Sequence, residues 1–179
     1  SDCLVGSEMC IRDRKKIGRN SLSTKQVLVV GRGNIGAKVV KKLKNFVRVS
    51  SFDLISNKPS ELKAMIQHAE CITLHLPLTE STRNMFDAEK LSWMRDGTTL
   101  VNTARAALVS EEDLFQELES GRLLAALDVF WQEPYKGKLL DLPNERISIS
   151  PHVASNCQEF LEATAEDFRN FLDLLKNQR

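Results

Sequence analysis

Apolar residues in this chain fall into short runs separated by stretches with helical spacing. The runs cover 25–30, 46–52, 71–76, 98–101, 123–129 and 146–150, and each predicts a strand. Short, near-continuous apolar runs of this kind suit strands that are buried on both faces. Between the first two, Ile35, Val39, Val40 and Leu43 lie on one side of a predicted helix over 34–45. Pro59 suits a helix first turn, and Leu62, Met65, Ile66 and Ala69 then follow at i, i+3, i+4, i+7 spacing. A short helix is predicted over 87–94, stopped by Gly97. Ser110 with Asp113 resembles a capping box, opening a helix through Leu114, Phe115 and Leu118 that ends at Gly121. A last helix over 158–177 carries Leu161, Phe168, Phe171, Leu172 and Leu175. Strands alternating with helices predict an α/β fold: a doubly wound parallel sheet with helices on both faces.

Composition narrows the reading. A length of 179 residues suits one ordinary domain, and the formal net charge is +1. Lys38, Lys41, Lys42 and Lys44 share the polar side of one helix, a solvated face rather than a nucleic-acid surface. No apolar run approaches the ~18 residues of a membrane span. Four cysteines show neither C-x-x-C nor metal-ligand spacing, so no metal and no disulfide are expected. The chain therefore reads as soluble and cytoplasmic. Residues 4–13 agree with a conceptual translation of a transposase sequencing adapter, with flanks that fit. We expect residues 1–14 to be such an artefact, set aside from fold reasoning, with the gene continuing upstream. Cys3 and Cys10 then drop out, leaving Cys71 and Cys157.

Candidate chemistry begins at the end of the first strand, with Gly31-Arg32-Gly33-Asn34-Ile35-Gly36. A glycine-rich turn between strand and helix, with an acid about 20 residues on, is the dinucleotide-binding arrangement. Gly31 permits the tight turn, Gly33 lets the backbone approach a pyrophosphate, and Gly36 lets the helix pack on the strand. The helix N-terminus offers unpaired N–H groups to the phosphates. Asp53, ending the second run, would accept from the adenosine ribose hydroxyls and favours NAD over NADP, because a 2′-phosphate would meet a carboxylate.

Ligands of such sheets bind outside the strand carboxyl ends. Those ends carry Gly31 to Gly36, Asp53, His75 to Thr79, Asn102 to Arg105, Asp128 to Pro134, and Ser150 to His152. With these residues in place the chain resembles the D-isomer-specific 2-hydroxyacid dehydrogenases, over about 22–179. The marks, in family order, are GRGNIG with Asp53, HLPLTEST, LVNTARAALV, AALDVFWQEP and SPHVAS. The resemblance implies a Rossmann-type cofactor domain over 15–156 and a helix over 157–179 that returns to a substrate domain. Most of that substrate domain, including the part built from the family's first hundred or so residues, is missing here.

The resemblance also implies roles. Arg105, Glu133 and His152 correspond to the catalytic set. An arginine fork can bind a 2-oxo acid's carboxylate and polarised carbonyl. A histidine can pass the proton, and a carboxylate beside it orients the imidazole and stabilises the imidazolium. Cofactor contacts fall to Gly31, Gly33, Asn34, Ile35, Gly36, Asp53, His75, Pro77, Thr79, Thr103, Ala104, Arg105, Asp128 and His152. Asp128 resembles the acid that bonds the nicotinamide carboxamide. The implied activity is NAD-dependent interconversion of a D-2-hydroxy acid and a 2-oxo acid, by a protein that is a homodimer when intact. The departures are Ala106-Ala107 after the arginine and Ala154-Ser155 where the family carries glycines. Glu133 argues against the formate dehydrogenase branch, which has glutamine there. Two other classes stay open: an NAD(H)-sensing corepressor, and a Rossmann dehydrogenase acting on another substrate such as an amino acid.

Overall fold

Residues 24–152 are described in a computed structural model of the chain. The first apolar run becomes β1 (Gln26–Val30), with Leu28, Val29 and Val30 completely buried. It is followed by α1 (Asn34–Leu43), β2 (Arg48–Phe52), α2 (Pro59–His68), β3 (Cys71–Leu74) and α3 (Ala88–Ser92). Then come β4 (Thr99–Asn102), α4 (Glu111–Glu119), β5 (Leu124–Leu127) and β6 (Ile147–Ile149). Expected and observed ends of the strands and of the first three helices agree to within about two residues. Two short 3-10 turns, Ala106–Leu108 and Lys138–Asp141, had no counterpart in the pattern, being too short to show a period.

The six strands pair in parallel in the order β2-β1-β3-β4-β5-β6. The step from β1 to β2 runs one way across the sheet, and the step from β2 to β3 runs back over β1. Right-handed crossovers then place α1 on one face and α2 on the other. The direction of winding reverses between β1 and β3, so their carboxyl ends flank a crevice. One register row, Leu28, Ile72, Leu100, Ala125 and Ile147, crosses the sheet from β1 to β6. It packs in one cluster with Leu62 and Ile66 of α2, Leu91 of α3, and Leu114 and Leu118 of α4. Each fully buried leucine or isoleucine there contributes about 1.5–3 kcal/mol.

Two expectations need correction. Ser110 starts α4 without a side-chain bond, and Asp113 instead accepts the backbone N–H of Ala88, tying the start of α3 to α4. A capping box needs the longer arm of glutamate or glutamine to reach back, and aspartate is one methylene short. Ile35 does not join the apolar stripe of its helix in the core. It is 68% exposed, in the first turn of α1 beyond the strand ends. The expectations for residues 1–14, Ala154-Ser155, Cys157 and the helix over 158–177 lie outside the described residues. Among the described residues no helix is long and apolar enough to cross a membrane.

Candidate active site

Each glycine of the first turn has its own surroundings. Gly31 ends β1 at φ +97°, donates its N–H to the Phe52 carbonyl at 2.8 Å, and leaves only 2.5 Å between an added Cβ and the His75 carbonyl oxygen. Gly36 is buried in α1, where an added Cβ would overlap the Gly31 carbonyl. Gly33 is different: apart from its own chain neighbours, nothing lies within 4 Å of its Cβ position. Two glycines are therefore required by the fold, and the third keeps open the space at the N-terminus of α1, a cradle that fits a pyrophosphate.

Asp53 turns back onto this turn. One carboxylate oxygen accepts the Arg32 N–H at 2.8 Å and the other accepts the Ile55 N–H at 3.0 Å. The Arg32 bond, then the Ile55 bond, hold the carboxyl below its ordinary pKa, so it is ionised at neutral pH. Across the crevice the His75 N–H continues the β1–β3 pairing to Val30 at 2.7 Å. Its ring Nε2 lies 3.0 Å from the Thr73 hydroxyl, and burial lowers its pKa, favouring the neutral imidazole. Pro77 and Thr79 are exposed, but buried Thr82 pins them: its hydroxyl donates to the Pro77 carbonyl at 2.7 Å and accepts the Thr79 N–H at 2.8 Å.

The ends of β4, β5 and β6 form the other half. Asn102, 1% exposed, donates to the Arg105 carbonyl at 2.9 Å and accepts the Ala104 N–H at 3.1 Å. That bracket shapes the loop on which Thr103 and Arg105 are exposed. The Arg105 guanidinium donates to the Ala104 carbonyl at 2.6 Å. Asp128 is buried just past β5, where its N–H continues the ladder to Asn102 and its carboxylate accepts the Ser150 hydroxyl at 2.5 Å. Two residues further, His152 adopts φ +54°. Its Nδ1 lies 2.9 and 3.0 Å from the two carboxylate oxygens of Glu133. This hydrogen bond is the main reason the Glu133 pKa is lowered, although the Asp128 charge pushes it the other way. The loop bearing Glu133 is itself held. Trp131 donates its indole N–H to the Val109 carbonyl at 3.0 Å, and the Tyr135 hydroxyl donates to Glu111 at 2.7 Å.

The structure thus joins Glu133 to His152 and Asp53 to the glycine turn, and sets Asp128 beside the turn that carries His152. It shows Arg105 on the neighbouring strand end, bonded to Ala104 rather than to either. Sequence reasoning named Asn102 and Ser150 only as strand-end residues and Thr82 only within a motif, and gave none of them, nor Trp131 and Tyr135, the bonds they make. The signal available was position: all five lie in or beside the strand-end segments. A groove of about 940 Å³ lies elsewhere, lined by Val39, Leu43, Phe46, Cys71, Gly97 and Val101, with Lys25, Glu70 and Arg95 from the amino ends of the strands. Among the described residues no group of three or more histidine, cysteine or acidic side chains could hold a metal ion.

Residues 6–154 match the family described as "D-isomer specific 2-hydroxyacid dehydrogenase, NAD binding domain". The chain is 34% identical over 159 residues to the hydroxypyruvate reductase of Thermotoga maritima, covering 82% of this chain and 51% of that protein. It is 37% identical over 145 residues to the glycerate dehydrogenase of Methylorubrum extorquens, covering 77% of this chain and 46% of that one. Among solved structures, the TT0316 protein from Thermus thermophilus superposes with a TM-score of 0.76 at 32% identity, over 89% of this chain and 55% of that chain. The chain spans about half the length of these relatives.

Proposed function

This chain belongs to the D-isomer specific 2-hydroxyacid dehydrogenase family, and we propose that it is the cofactor half of an NAD-dependent oxidoreductase interconverting a D-2-hydroxy acid and a 2-oxo acid. The observation that carries this reading is the contact of His152 Nδ1 with both oxygens of the Glu133 carboxylate, at the carboxyl edge of the sheet that also carries the glycine turn. An ionised Glu133 selects the imidazole tautomer with its proton on Nδ1 and stabilises the imidazolium. The other ring nitrogen, Nε2, then takes the hydroxyl proton in one direction and returns it to the carbonyl oxygen in the other. Arg105, exposed on the next strand end, supplies a guanidinium fork for the substrate carboxylate.

NAD, when bound, supplies the hydride chemistry: the oxidised form accepts and the reduced form donates. Residues Gly31 to Gly36 would hold its pyrophosphate and Asp53 its adenosine ribose. His75, Pro77 and Thr79 would line the adenosine side, and Thr103, Ala104, Arg105, Asp128 and His152 the nicotinamide side. The fixed negative charge of Asp53 supports NAD over NADP. Residues 15–156 are taken as the cofactor domain; the matched span, 6–154, begins earlier, within the stretch 1–14 expected to be an artefact.

The test is oxidation of NADH by the intact protein with glyoxylate, hydroxypyruvate, pyruvate and phosphohydroxypyruvate. At least one is reduced, and Glu133→Gln lowers turnover by about a hundredfold or more. Arg105→Ala lowers it by removing the cation for the substrate carboxylate. Absence of turnover on all four, or full activity in both variants, overturns the reading.

A further inference from the structure

Ser150 makes three connections at once. Its N–H donates to the Leu127 carbonyl at 3.0 Å, extending the β5–β6 pairing past the last residue of β6. Its carbonyl accepts the His152 N–H at 3.0 Å, closing the tight turn over Pro151 that sets His152 at φ +54°. Its hydroxyl donates to Asp128 Oδ1 at 2.5 Å. Among the described residues β6 is a three-residue strand at the edge of the sheet, paired with β5 alone. Beside the β5–β6 pairing and the Glu133–His152 contact, Ser150 thus joins the segment bearing His152 directly to Asp128 at the end of β5. The bond is also unusual in place. Asp128 is 3% exposed, and a buried carboxylate is costly to misdirect, because a hydrogen bond to a charged group is worth roughly twice a neutral one.

We propose that Ser150 is a positioning residue, one that fixes the orientation of the Asp128 carboxylate toward the nicotinamide end of the dinucleotide while holding the turn that presents His152 to the same place. This rests on the reading of Asp128 as the acceptor for the nicotinamide carboxamide. The hydroxyl restricts rotation of the carboxylate about its Cβ–Cγ bond. Without it the carboxylate loses one of the bonds that orient it, and the nicotinamide is directed less firmly while the adenosine half of the site, at Gly31, Asp53 and His75, is unaffected.

That separation of the two halves supplies the test. NAD and ADP-ribose, which lacks the nicotinamide, are titrated by calorimetry into the parent chain, Ser150→Ala and Ser150→Thr. The expected result is that Ser150→Ala weakens NAD about tenfold, leaves ADP-ribose unchanged, and that Ser150→Thr, which keeps the hydroxyl, restores NAD. Equal NAD affinity in parent and Ser150→Ala overturns the proposal. So does parallel loss of both ligands, which marks a purely structural role, or failure of threonine to rescue. Should Ser150→Ala not fold, Ser150→Cys, which is close in size and a weak donor, takes its place under the same criteria. A parent chain that binds ADP-ribose but gains nothing from the nicotinamide overturns the role of Asp128 and this proposal with it. A parent that binds neither ligand overturns the cofactor reading itself.

Discussion

At the scale of single residues, identical glycines do different work. Gly36 faces the Gly31 carbonyl so closely that a methyl group cannot enter, whereas Gly33 faces open space. Gly36→Ala should therefore destabilise the chain by about 1–3 kcal/mol, the usual cost of overpacking, seen as an earlier midpoint in urea. Gly33→Ala should leave that midpoint where it is, since Gly33 has a φ of −63° and open space at its Cβ position. It should weaken NAD about tenfold by putting a methyl where the phosphates approach. A midpoint shifted by Gly33→Ala, or an unchanged NAD affinity, would count against the assignment. The sequence showed three glycines in a motif and could assign them roles. It could not rank them, because the ranking depends on what each faces once folded: the Gly31 carbonyl for Gly36, the His75 carbonyl for Gly31 and open space for Gly33. Asn102 and Thr82 were silent for a similar reason. An amide or hydroxyl that brackets its own loop has no periodic or charge signature, and only burial with satisfied partners sets it apart.

At the scale of elements, most strands were legible because they are apolar on consecutive positions, β2 and β6 being interrupted by serines, and the longer helices because their apolar positions recur. The loop over 130–137 was legible only as a place where Glu133 sits. Its anchoring is tertiary, through Trp131 to Val109 and Tyr135 to Glu111 at the start of α4. Tyr135 is the chain's single tyrosine, so its ionisation can be followed without ambiguity. Burial first, then the hydrogen bond to Glu111, push its pKa up to about 12 from 10.0. An ultraviolet titration of the phenol should show that raised midpoint. Glu111→Gln, which replaces a charged acceptor with a neutral one, should bring it down. A midpoint at 10.0 in the parent chain would mean that the loop is not latched. Tyr135→Phe should cost about 1 kcal/mol in stability and loosen the segment that carries Glu133.

At the scale of the molecule, the parallel sheet and the gathering of candidate residues at its strand ends were readable in the sequence, whereas the strand order and its reversal between β1 and β3 come from the structure. What the pattern could not show is how charge is distributed around that frame. Among the described residues five carboxylates sit below their ordinary pKa: in Asp87 burial pushes up and the bonds from Lys90 outweigh it, and in the other four a hydrogen bond is the leading cause. Asp53 is lowered by the Arg32 N–H, Glu70 by the Lys25 ammonium, Glu112 by the Lys138 ammonium and Glu133 by His152. In each case the folded chain holds its proton less tightly than the unfolded one. The stabilisation is therefore present above the ordinary values of 3.8 for Asp53 and 4.5 for the glutamates, and is lost as pH falls through the lower folded values. Tyr135 works in the opposite sense. Its folded pKa is raised, so its contribution is complete below 10.0 and is lost as pH rises through about 12. The unfolding midpoint in urea, measured across pH, should accordingly decline at both ends. The acid limb should be shallow, because the acidic groups are largely solvent-exposed and screened. Salt should flatten the acid limb, where ion pairs contribute, and should leave the alkaline limb nearly unchanged, because burial is the larger cause there. Tyr135→Phe should remove its share of the alkaline decline and none of the acid one. Stability that rises on acidification below 3.8 would contradict the bonded state of these carboxylates, and with it the ionised Asp53 and Glu133 on which the proposed site depends.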